Sequence, residues 1–413
     1  MAFILKKPII TVSNPCVNFK IYNVSVIAPA TTTTTTTSTS TTSTSTTTTS
    51  TTLSPNSKFL NNLFASQETS DGKYIFVGNF TSYNGTTSKG IIKLNTDGTI
   101  DGSFNPGTGF NVTIVTNVIN TLDNKYLVAG WFTTYQGVSA NRIIKLNTDG
   151  SKDTSFNFGT GFNDVISDGQ TLVNTSDNKY LIGGSFLSYN GTPAKAIIKL
   201  NTDGTIDTSF VYGTGFGGSV NSIIETSDGK YLIGGSFTSY QGVATNRIIR
   251  LNSDGSKDTS FVIGTGFGGN VYGFIETSDG KYLVVGAFSS YNGTSANSVI
   301  KLNTDGSKDT SFNYGIGFSV TDVRNVKETS DGKYLLGGGF TTYQGTSSKN
   351  LIKLNTNGTI DGSFVVGTGF NGAVYDIVET SDNKYLIGGS FSSYNGTPGN
   401  NFFKLNTNGS IVW

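Results

Sequence analysis

Apolar residues in this chain fall in short, nearly continuous runs such as Tyr231–Gly235 (YLIGG) and Arg247–Leu251 (RIIRL), separated by polar, glycine-rich breaks. Runs of that length without clean alternation predict strands covered on both faces of a sheet. The runs recur. A Lys-Tyr pair places Tyr at 74, 126, 180, 231, 282, 334 and 385, at intervals of 52, 54, 51, 51, 52 and 51 residues. Within the copy starting at Val220, three breaks have hairpin chemistry: Ser227-Asp228-Gly229-Lys230, Gln241-Gly242 and Ser253-Asp254-Gly255. Asp-Gly and Asn-Gly suit tight hairpins because these residues tolerate positive φ. Three hairpins join four antiparallel strands: a (Val220–Thr226), b (Tyr231–Tyr240), c (Arg247–Asn252) and d (Ser256–Val262).

A four-stranded sheet covered on both faces by copies of itself is a propeller blade, and seven copies close a ring with short, protected edges. An open solenoid needs polar capping repeats, and the chain has none. The fold expected is all-β: a seven-bladed β-propeller of four-stranded antiparallel blades over 53–413, with a short β-rich N-terminal segment. The seventh copy stops partway through strand d at Trp413, so its missing part is expected from the domain start. Leu53–Phe64 supplies strand a of blade one, and Leu53–Asn56 is placed to finish or clasp blade seven. Residues 31–52 are all Thr or Ser, with no charge or large apolar group to build a core. They read as a tether of about 70 Å when extended, at roughly 3.3 Å per residue. Residues 1–30 carry strand-like stretches, Phe3–Leu5 and Val17–Ile27, too short to bury themselves, and read as a docking segment.

The turn S-D-G-K-Y-L, the stretch G-G-S-F and the element L-N-x-D-G-S-x-D-T-S-F resemble the delta-60 type β-propeller repeat of bacteria. The resemblance spans roughly 60–413 and implies a propeller without naming an activity. The last copy departs from it: Asn408 replaces the turn Asp, and D-T-S-F is absent. The layout of docking segment, Thr/Ser tract and repeat domain also resembles fibre and decoration proteins of Bacteroidota phages.

Composition narrows the chemistry. The chain has no histidine, which removes Ser-His-Asp and Cys-His nucleophile systems, His bases and His metal sites. A single cysteine, Cys16, permits no intrachain disulfide. Lys and Arg total 28 against 27 Asp and Glu, without the clustered positive charge of a nucleic-acid groove. The N-terminal apolar run breaks at Lys6-Lys7, so no signal peptide is expected, and no run reaches the length of a membrane span.

Several repeated residues invite a functional reading. Asn201, Asp203 and Asp207 superficially resemble a calcium loop, but too few carboxylates converge, and turn chemistry is the expected role. Strand c ends in a cation in every copy (Lys93, Lys145, Lys199, Arg250, Lys301, Lys353, Lys404). Six copies place an Asp on strand d (Asp101, Asp153, Asp207, Asp258, Asp309, Asp361), and a cross-strand ion pair such as Lys93–Asp101 is expected. Glu68, Glu225, Glu276, Glu328 and Glu379 share one position, so no carboxylate breaks the repeat as a glycosidase pair would.

The b–c turn varies between copies and carries Lys89, Arg142, Lys195, Arg247 and Lys349. It follows a repeated Tyr: Tyr83, Tyr135, Tyr189, Tyr240, Tyr291, Tyr343 and Tyr394. This face is the candidate for ligand contact, since Tyr beside amide and Gly groups suits sugar binding, although a repeated Tyr is more often packing; Trp131, a large aromatic in a small-residue slot, is a further contact or a gap filler. No catalytic residue, metal or cofactor is expected. The function expected is a non-enzymatic structural or binding protein attached to a virion through 1–30. Its propeller faces a host-surface glycan or protein, with neither nucleic acid nor a membrane span involved. A cell-surface adhesin and a carbohydrate-active propeller enzyme are the alternatives.

Overall fold

The computed structural model describes residues 59–413 apart from 113, 167, 168, 320 and 321. The docking segment, the Thr/Ser tract and the clasp Leu53–Asn56 therefore lie outside the described residues.

The structure is an all-β ring of seven blades, the architecture the repeat predicts. Strand a lines the inside of each blade: Leu63–Glu68, Val115–Asn120, Leu172–Asn174, Val220–Glu225, Asn270–Glu276, Val323–Glu328 and Ala373–Glu379. In blade four, strand a pairs with b (Tyr231–Gly235), which pairs with c (Ile248–Leu251), all antiparallel. The a–b and c–d turns close through left-handed glycines such as Gly229 and Gly255. Asn124, Asn178 and Asn383 replace the a–b glycine, since Asn also accepts positive φ.

Two strands are shorter than the sequence pattern suggests. Strand b stops at Gly235, and its remainder forms a separate small hairpin, Ser239–Tyr240 with Val243–Ala244. Gln241 and Gly242 both take positive φ there (48° and 77°), as the tight turn requires. Strand d is reduced to one bridge, Leu251 with Lys257. The Asp258 carboxylate accepts the Ser260 N–H and hydroxyl two residues on, at 3.0 and 2.7 Å, which turns the chain out of the sheet. The chain then crosses to the next blade, where Phe261 packs on Tyr282 and Phe267 pairs with Tyr291.

The cations ending strand c are buried, and they join the blades. Lys199, Lys301, Lys353 and Lys404 each donate to a turn Asp of their own blade and to the Tyr hydroxyl opening strand b of the next, the Tyr bond being 2.9 Å. Arg250 reaches Tyr282 in the same way. Burial works against the charge on Lys199, yet the bonds to Tyr231 and Asp177 outweigh it and hold its pKa above the ordinary value. The expected cross-strand pair is therefore secondary: Lys93 lies 3.7 Å from Asp101 but 2.8 Å from Asp71. Asp101 is held at 2.9 Å by Lys73 instead, the lysine of the Lys-Tyr pair. Arg250 is the exception, at 2.6 Å from Asp258.

The shared glutamate is a second joint. Glu225, Glu276, Glu328 and Glu379 each accept the N–H and hydroxyl of a turn serine in the preceding blade. Blades two and three carry Asn instead: Asn120 donates to the Glu68 carbonyl and Asn174 to the Asn120 carbonyl.

Both joints recur where the ring closes. Lys404 donates to Tyr74, and Glu68 accepts from Ser381. Blade seven completes itself, because Ile411 makes the same single bridge to Leu405 that strand d makes elsewhere. Among the described residues the sheet of blade seven is built from its own repeat, while the clasp expected from Leu53–Asn56 lies outside them. Trp413 ends the chain against Phe402, with ring centroids 5.3 Å apart.

Two tests follow from this closure. A fragment spanning 53–413 should unfold cooperatively, and loss of a single transition would misplace the domain boundary. Lys404→Met should cost about 1–3 kcal/mol in denaturant unfolding, since it strands Tyr74 and Asp382 but leaves Asp382 partly hydrated. An unchanged unfolding midpoint would mean that the closing seam contributes nothing to stability.

Candidate functional site

The seven repeated tyrosines do not face a ligand. Tyr83, Tyr135, Tyr189, Tyr240, Tyr291, Tyr343 and Tyr394 are all buried. Each hydroxyl donates to the glycine carbonyl of its c–d turn, as Tyr240 does to Gly255 at 2.7 Å. Each packs on a phenylalanine, Phe59 in blade one and in the others one delivered by the preceding crossing, such as Phe216 at 4.6 Å from Tyr240. Burial raises the pKa values of Tyr135, Tyr189, Tyr240, Tyr291, Tyr343 and Tyr394, that of Tyr240 to about 12. Their role is packing, which corrects the sequence expectation.

The cations of that face divide into two groups. Lys89, Lys195 and Lys349 are exposed. Arg142 and Arg247 sit one position further on, in left-handed backbone, and are half-buried. Arg247 donates to the Phe267 carbonyl at 2.7 Å, the bond that Asn350 makes to Phe370 in blade six. Arg247 thus secures a crossing. Trp131 is 48% exposed, so it does not fill a gap. Its N–H is bonded to Ile114, just before strand a of blade two.

The asymmetry lies instead on the innermost strands. Phe64, Thr116, Gln170, Asn221, Tyr272, Arg324 and Tyr375 occupy equivalent positions, one before the residue that pairs with the inner glycine, valine or alanine of strand b, and all but the buried Thr116 line the channel. Aromatic and cationic members are neighbours on one side. The Arg324 guanidinium carbon lies 5.5 Å from the Tyr272 ring centroid and 5.1 Å from that of Tyr375. The Asp322 carboxylate stands 2.7 Å from the Arg324 Nε as an ion pair, out of line for a hydrogen bond. Phe64 extends the aromatic side, 6.1 Å from Tyr375. With Asn62, Asn221 and Gly169 these groups line a cavity of about 200 Å³.

A larger cavity of about 430 Å³ continues inward past Asn117, Asn325, Ser66 and Asp376. Asp376 is buried and accepts the Ser66 hydroxyl across the closing seam. Burial pushes its carboxyl up to about 7, against the opposing pull of the Ser66 bonds.

These channel residues were missed because strand a reads as core. The available signal was the same comparison of copies applied to strand a, where the residue after the buried Leu or Val changes from blade to blade. Among the described residues no three His, Cys, Asp or Glu side chains come together as a metal set. The repeated carboxylates have other partners, Asp203 being engaged by Thr205 and Asp207 by Ser209 and Lys179.

Comparison with known proteins agrees with the fold. A family model described as "Domain of unknown function (DUF5122) beta-propeller" matches residues 69–104, 122–156, 175–210, 226–261, 277–312, 329–364 and 380–411. No curated protein sequence matches. Among solved structures, the WD40 β-propeller domain of Doa1 is similar with TM-score 0.52 at 13% identity, covering 81% of this chain and 91% of that one. The extracellular domain of the putative hybrid two-component system BT4673 from B. thetaiotaomicron gives 0.49 at 12% identity, covering 81% and 38%. A catalytically inactive virginiamycin B lyase from Staphylococcus aureus gives 0.46 at 14% identity, covering 81% and 95%. At these identities the likeness is one of fold.

Two outcomes are expected. Tyr240→Phe should lower stability by about 1–2 kcal/mol, because the Gly255 carbonyl loses its buried donor, and should leave ligand binding unchanged. Asp376→Asn should remove a pH dependence. The folded carboxyl holds its proton to about pH 7 while the unfolded one releases it near the ordinary 3.8. Stability of the parent thus falls as pH rises between these values, by at most about 1.4 kcal/mol per unit. The melting temperature of the variant relative to the parent should climb from pH 4 to pH 7 and then level off. A constant difference would show that Asp376 is already ionised in the fold.

Proposed function

The chain belongs to the DUF5122 β-propeller family, and on that premise we propose that it is a non-enzymatic binding protein on the outside of a phage particle. Residues 1–30 dock to the particle, the Thr/Ser tract of 31–52 spans outward, and the propeller meets the host surface. The observation that carries the binding role is the Phe64, Tyr272, Arg324 and Tyr375 cluster. It breaks the repeat at the channel mouth, while the other repeated aromatics and charges serve packing and seams. This moves the expected contact from the b–c tyrosines to the channel mouth, with exposed Trp131 beside strand a of blade two as a second contact. The attachment role is supported by composition: a tract of Thr and Ser offers reach without grip, and the apolar stretches before it need a partner surface.

Deleting residues 1–30 should release the protein from particles while the propeller still unfolds cooperatively. Incorporation at normal copy number would make the propeller the anchor and reverse the orientation. Recovery of the full-length protein on bacterial envelopes and never on particles would replace the phage with a cell-surface adhesin.

A further inference from the structure

The stacking geometry at the mouth specifies a ligand class, an inference that rests on the binding role proposed above. Tyr272 and Tyr375 flank the guanidinium of Arg324 from strands on either side, which restrains it between their rings. Asp322 occupies the Nε side. The two terminal nitrogens have no partner among the described residues, and the side chain is 38% exposed. A planar fork held in place with its outer edge free is matched to a carboxylate, which it takes through two parallel hydrogen bonds.

The surroundings restrict what carries that carboxylate. Phe64 and the tyrosine rings give an apolar wall, and Asn62 and Asn221 place amide-bearing residues beside it. A cavity of about 200 Å³ is smaller than a typical drug-sized pocket, roughly 300 Å³ or more. That volume suits a single sugar ring. An apolar wall for a ring face, amides for hydroxyls and a fork for a carboxylate together describe an acidic monosaccharide. We infer that the channel mouth binds the terminal acidic sugar of a surface glycan, with Arg324 as the fork for its carboxylate.

Calorimetric titration of the full-length protein with methyl glucuronide, N-acetylneuraminate, methyl glucoside and inorganic phosphate tests this. At least one acidic sugar should bind ten or more times tighter than methyl glucoside and inorganic phosphate. Arg324→Gln should abolish that preference. Arg324→Lys should lose most of it as well, because an ammonium keeps the charge but not the fork; cooperative unfolding confirms that both variants are folded. Full affinity in Arg324→Lys would overturn the fork, and equal binding of phosphate would overturn the sugar. Cell binding separates this inference from the reading beneath it. Host-surface binding that survives Arg324→Gln but fails with Tyr375→Ala keeps the mouth as the contact and overturns the acidic ligand. Binding that survives both variants overturns the mouth itself.

Discussion

A cation in a dry seam must be answered from both sides, and that requirement organises this ring. Lys199, Lys301, Lys353 and Lys404 are almost fully buried, and each blade supplies only half of what its lysine needs. The blade's own turn gives an aspartate, and the neighbour gives a tyrosine hydroxyl. A blade on its own would leave the ammonium half partnered and its apolar flank in water. Such units are stable only in company, and a ring gives every unit two neighbours. The Glu–Ser clamps apply the same rule near the channel. Close approach is equally demanding: with Val271 of the next blade placed as it is, a Cβ on Gly234 would stand 2.5 Å from its side chain.

How legible was this in the chain? The turns were, because few residues accept left-handed backbone, and Gly or Asn appears wherever the a–b turn requires it. Strands a and c and the first half of b were, because their apolar runs are bounded by those turns. Strand d was not. The apolar Phe261-Val262 looks like strand, but after the Asp258 N–H donates to the Arg250 carbonyl the Ser260 bonds to the Asp258 carboxylate turn the chain out of the sheet. Nor was the burial of Tyr240, whose cover arrives from the previous repeat as Phe216 and cannot be seen within one copy.

The candidate site was hidden for a different reason. Arg324, Tyr272 and Tyr375 stand on strands that otherwise alternate buried and half-buried residues, where a large aromatic reads as core. Only the ring brings the three within reach of one another, from blades five, six and seven. A residue's neighbours across a closed ring are not its neighbours in sequence, and no single repeat records them.

That separation has a consequence for change over time. The bonds from lysine to tyrosine and from glutamate to serine belong to positions outside the variable channel column. One codon in each of six blades thus alters the lining of the channel and leaves those joints untouched, Thr116 of blade two being buried. Recognition in such a molecule is written in a few separable letters on a frame whose lysine and glutamate joints are not rewritten with them. A lineage can exchange what it grips by point mutation, with no loop to lengthen and no blade to refold.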